Sequence, residues 1–89
     1  MRDREEFTRL VRQYVDTVYR VAYGALRSAA DAEDVTQNVL LKLWRTNKPF
    51  DGDAHIRHWL IRVTVNECKK AFLSPLRREV PIEDVAERL

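Results

Sequence analysis

His58, Arg62, Asn66 and Lys69 follow one another at intervals of four, four and three residues. That spacing stacks side chains along one face of an α-helix. An imidazole, a guanidinium, an amide and an ammonium in one line offer donors to phosphate oxygens. The amide adds a paired donor and acceptor for a base edge. His55, Trp59 and Lys70 flank the line, and the indole has a face on which a base could stack, although packing is the role favoured for Trp59. From composition alone a solvated surface face is the simpler reading, and the residues themselves leave both open.

A second line lies in "DAEDVTQNVLLKLWR", residues 31–45. At about 100° per residue, Ala32, Val35, Val39, Leu40, Leu43 and Trp44 share one half of a helix. Leu41 falls on the other half, among Asp34, Gln37, Asn38 and Arg45. A leucine ringed by carboxylate and amide groups is either an incidental surface residue or an apolar anchor inside a polar rim.

Other chemistry finds no support. The chain has no glycine-rich phosphate loop, no HExxH, no CxxC and no nucleophile elbow. Asp51-Gly52-Asp53 resembles the start of a calcium loop, but the twelfth position is Arg62, where a bidentate glutamate is required. His55 and His58 could share a metal by spacing, yet no cysteine or acidic third ligand accompanies them, so no metal and no cofactor are expected. The single cysteine, Cys68, reads as a small core residue. An enzyme is not expected.

Eighty-nine residues with 45% hydrophobic and 34% charged content make one folded domain near the lower size limit for a self-sufficient core. No apolar run approaches a membrane span, the N-terminus lacks a signal-peptide core, and one lone cysteine fits a reducing, cytoplasmic setting. A net charge of +2 says little, but its distribution is uneven. From His55 to Arg78 there are six arginines and lysines against Glu67 alone, and from Glu79 onward four acidic residues against one basic. The basic stretch is where attraction to a polyanion would reside. Glu67 falls within the apolar arc of its helix. It is either paired with an arginine of a neighbouring helix or a sign that this face is incompletely covered.

Three elements must position these groups, and all are helical. Phe7, Leu10, Val11, Tyr14, Val15, Val18, Tyr19, Ala22, Tyr23 and Leu26 predict an amphipathic helix over about Asp3–Leu26, with Gly24 in its last turn. Asp31 as cap, acidic residues behind it and Lys42 and Arg45 at the far end predict a second over Asp31–Arg45. "TNKPFDGD" breaks the pattern, and a third helix runs from about Ala54 to Phe72 with Asp53 as its cap. Its apolar arc holds Ile56, Leu60, Ile61, Val63, Val65, Cys68, Ala71 and Phe72. Tyr14, Val18, Val35, Val39, Leu43, Leu60 and Val63 are expected in the core. "PIEDVAERL" reads as either a short terminal helix or a linker cut short. The fold class is all-α, a compact three-helix domain over 1–78 followed by an acidic segment, 79–89.

Asp31, Asp34, Val35 and Gln37 form a D-x-x-D-[hydrophobic]-x-Q pattern, and Trp59-Leu60 and Asn66 follow in order. Together they resemble region 2 of bacterial RNA polymerase sigma factors of the extracytoplasmic-function group, over roughly Phe7 to Arg78. Each piece is weak alone; two distant segments in the right order are specific.

The resemblance implies a transcription initiation factor domain. It would dock on the clamp helices of the largest subunit of core RNA polymerase through its second helix. It would recognise and help melt the promoter minus-ten element, on the non-template strand, through the third helix and the preceding loop. Asp34, Gln37, Asn38 and Leu41 would then form the polymerase-docking face. Asn47 and Lys48, with Asp51 and Asp53, would line a pocket for a flipped base. His58, Arg62, Asn66, Lys69 and Lys70 would face DNA, with Arg62, Lys69 and Lys70 on phosphates and Asn66 on base preference. Asn38 departs from the glutamate common in the family. Nothing after Arg78 resembles the helix-turn-helix domain that such factors use for the minus-thirty-five element, so the chain is either a fragment, the reading favoured, or an unusual one-domain factor. An anti-sigma protein is admitted as a partner by resemblance only. The alternatives are a small helix-turn-helix DNA-binding regulator, whose turn would be shorter than "TNKPFDGD", and a helical interaction module without a nucleic-acid role.

Overall fold

The computed structural model describes residues 3–73. The segment 79–89, Arg77, Arg78 and the boundary drawn at residue 78 lie outside those residues. Three helices, α1 (Arg4–Leu26), α2 (Ala29–Arg45) and α3 (Asp53–Leu73), account for the fold, and each packs against both others. The described residues contain no strand, in keeping with the all-α expectation.

The core follows from the four-residue steps of the sequence. Leu10, Tyr14, Val18, Ala22 and Leu26 form one buried row along α1. Ala32, Val35, Val39 and Leu43 face them from α2, and Ile56, Leu60 and Cys68 close the cluster from α3. Of the seven residues expected inside, six are buried, and Val63 is half-buried against the same cluster. Two threonines share the interior. Thr64 is fully buried and Thr36 nearly so; their hydroxyls donate to the carbonyls of Leu60 (2.6 Å) and Ala32 (2.7 Å), one turn back. A satisfied hydroxyl lets a β-branched side chain fill a core position without an unpaired polar atom.

The helix ends correct the sequence reading in three places. Asp3 lies just outside α1 as its cap, its carboxylate accepting the Glu6 N–H at 3.4 Å. α2 begins at Ala29, two residues before the expected start, and its cap is Ser28, whose hydroxyl accepts the Asp31 N–H at 3.2 Å. Serine followed three residues later by an acid is a capping-box spacing, and Ala29-Ala30 are strong helix formers, so the helix extends back to the serine. α3 begins at Asp53, because the Gly52 carbonyl already accepts the Ile56 N–H at 3.2 Å. Asp53 therefore belongs to the first turn. Gly52 sits at φ 89°, a conformation open to glycine and strained for other residues.

Val65 is a further correction: placed in the apolar arc of α3, it is 41% exposed. α3 packs into a cleft between two helices, and the buried positions Ile56, Leu60, Thr64, Glu67 and Cys68 define a stripe that passes Val65 by.

Candidate functional site

On α2, Asp34, Gln37 and Asn38 are exposed, and Leu41 stands among them 47% exposed. The half of α2 carrying Val35, Val39 and Leu43 is consumed by the core, so Leu41 points away from it. This surface continues into a groove between the start of α1 and the end of α2. Arg4, Phe7 and Thr8 line one side and Gln37, Leu40, Leu41 and Trp44 the other, around about 730 Å³. Its floor is set by Phe7 and Trp44, which meet edge to face with ring centroids 4.9 Å apart. Helical periodicity alone assigns Leu40 and Trp44 wholly to the core. Both are half-buried, lining the groove instead of closing into the core.

On α3, His58, Arg62, Asn66, Lys69 and Lys70 are all exposed. Their helix is held by the opposite stripe, so the polar line is left to solvent as its spacing predicts.

Asn47 and Lys48 are exposed in the loop that joins α2 to α3. That loop is organised. The Lys48 N–H donates to the Thr46 hydroxyl at 3.2 Å, and the Asp51 N–H donates to His55 Nδ1 at 2.9 Å. Phe50 packs edge-on against both His55 and Trp59, at 5.3 and 5.4 Å between centroids. Trp59 thus has the packing role expected of it, and His55 is a hydrogen-bond acceptor rather than a freely solvated side chain. At the other side of α3, the Tyr14 hydroxyl donates to the Asp53 carbonyl at 3.4 Å, linking α1 to the helix start. Burial, and next the Asp53 carboxylate, push the Tyr14 hydroxyl up in pKa.

Glu67 has its partners, and they are lysines instead of an arginine. Lys42 of α2 approaches its Oε1 at 2.6 Å and Lys70 of α3 approaches the same oxygen at 3.7 Å. The hydrogen bond to Glu67 raises the Lys42 ammonium above its ordinary pKa, against the opposing effect of its partial burial. No sequence rule links residues 42 and 67; the pair exists only once α2 and α3 are packed. Among the described residues no three histidine, cysteine or acidic side chains gather as a metal would need. No helix among them is long and apolar enough to cross a membrane.

Two exposed lines thus stand on two different helices, joined by an organised loop. The family model described as Sigma-70 region 2 matches residues 10–86. The chain belongs to the sigma-70 region 2 family. Curated relatives of this region 2 domain include the ECF RNA polymerase sigma factor SigM of Mycobacterium tuberculosis, 35% identical over 88 residues, covering 93% of this chain and 43% of the relative. SigG of the same species is 32% identical over 78 residues, covering 88% of the chain and 21% of the relative. SigE of Mycolicibacterium smegmatis is 38% identical over 69 residues, covering 78% and 25%. The chain therefore spans less than half the length of these relatives. No solved structure matches it. Membership in this family marks the chain as a sigma factor domain and not an enzyme.

Proposed function

We propose that this region 2 domain binds core RNA polymerase through α2, on the clamp helices of the largest subunit, and recognises and helps open the minus-ten element through α3 and the loop before it. The observation that carries the reading is the exposure of Leu41 within Asp34, Gln37 and Asn38, continuous with an apolar groove at Phe7 and Trp44. An apolar centre with a polar rim is how stable protein interfaces are built. Such a domain would work in the cytoplasm, where the polymerase is, and an anti-sigma protein is a compatible partner of the same α2 surface.

The DNA side of the reading divides its residues by chemistry. Arg62, Lys69 and Lys70 act on phosphates; Asn66 and the loop residues Asn47 and Lys48 carry base preference, with His58 beside them. Reading a base's pairing edge requires it to leave the stack, at a cost of a few kcal/mol. A loop already held by Phe50, His55 and Trp59 meets the base without first being ordered. The connection from Thr46 to Gly52 is longer than the turn of a helix-turn-helix, which argues against the duplex-reading alternative.

Titration of minus-ten single strands and matched duplexes tests the division. Lys69→Ala should weaken binding across sequences, and Asn66→Ala should change which sequence is preferred more than how tightly DNA is held. Tight binding to duplex alone, unaffected by loop substitutions, would overturn it.

A further inference from the structure

Glu67 is a carboxylate on the packed side of the helix proposed to face DNA, with its side chain only 9% exposed. Two ammonium groups converge on one of its oxygens. Lys42 reaches Oε1 from α2 at hydrogen-bonding distance, 2.6 Å, whereas Lys70, one turn along α3, stands at 3.7 Å, too far for a hydrogen bond. Their exposures differ accordingly: the Lys42 side chain is 44% exposed and that of Lys70 67%. A nearly buried carboxylate demands a cation. Lys42 meets that demand from a neighbouring helix, and Lys70 is left the more loosely held and more exposed of the two.

We infer that Lys42 is a positioning residue for DNA binding: by occupying Glu67 from α2 it releases Lys70 of α3 to contact a phosphate. Without Lys42, Glu67 would draw Lys70 inward and remove one cation from the DNA-facing surface. Lys42 lies next to Leu41, so the same turn of α2 that carries the polymerase anchor also sets the charge displayed on α3. The inference rests on the reading of Lys70 as a phosphate contact.

The experiment uses the full 89-residue chain with saturating core polymerase, titrated by fluorescence anisotropy against a labelled minus-ten non-template strand over a salt series. Lys70→Met should lower affinity roughly twofold to fivefold and reduce the salt slope by about 0.7, the value for one contact to a single strand. Lys42→Met should produce a loss of the same kind, and none beyond it when Lys70→Met is already present. Lys42→Met combined with Glu67→Gln should recover affinity, because no carboxylate remains to retain Lys70; this variant also separates the effect from any general loss of folding. Lys42→Met without effect, equal loss with and without Lys70, or failure of Glu67→Gln to restore affinity would each overturn the inference alone. Lys70→Met without effect would instead remove the phosphate reading beneath it.

Discussion

The ring of Phe50 meets the indole of Trp59 edge to face, with centroids 5.4 Å apart and planes at 64°. Phe50 is in the loop and Trp59 is two turns into α3, so this contact fastens the segment after α2 to the outer side of the next helix. The His55 imidazole adds a second edge-on contact to Phe50 and accepts the Asp51 N–H. A loop fixed at three points has little ordering entropy left to lose when it meets a ligand.

Phe50→Ala should therefore free the loop, with some loss of stability because Phe50 also packs against the core. An edge-to-face pair is worth about 0.5–1.5 kcal/mol beyond the area it buries. Cleavage by trypsin after Arg45, where the loop begins, should accelerate and promoter opening by the reconstituted holoenzyme should fall, while core polymerase affinity stays within twofold or so of the parent, since the docking face is on α2. Unchanged cleavage would show that the aromatic contacts do not hold the loop.

Stability should decline on the alkaline side. Burial, and then the Glu67 carboxylate, raise the Cys68 thiol; burial, and then Asp53, raise the Tyr14 hydroxyl; the hydrogen bond to Glu67 raises the Lys42 ammonium. In each case the folded group keeps its proton to a higher pH than the unfolded one. Above the unfolded pKa the unfolded state therefore holds fewer protons, and stability falls until the folded pKa is passed. Thermal melting from about pH 8 to pH 11 should show the decline beginning in the range of a free thiol, roughly 8.5. Cys68→Ala should remove that earliest portion. Consistently, the 3% exposed thiol should resist alkylation in the native state and react on unfolding in urea.

The period of four in Leu10, Tyr14, Val18, Ala22 and Leu26 makes α1 and its buried row legible in the sequence, because one helix face against one core needs only local spacing. The exposure of Leu41 is legible for the same reason. What stays hidden depends on packing. Val65 is exposed and Thr64 buried because α3 fits between two helices along a stripe that simple projection does not select. The Ser28 cap escapes a reading by residue type because Asp31, an equally good capping residue, stands three positions later in the same segment. The Lys42–Glu67 pair and the Phe7–Trp44 groove join residues far apart in the chain, and no periodicity relates them.

The central claim, that the exposed line on α2 is a docking face for polymerase, is tested most directly by comparing Leu41→Ala with the parent chain in core RNA polymerase binding and in thermal melting. Leu41 contributes little to the core, so the melting temperature should hardly move. Loss of an interface anchor should weaken binding by about 1–2 kcal/mol, roughly fivefold to thirtyfold. A variant that melts much earlier yet binds polymerase as well as the parent would contradict the account.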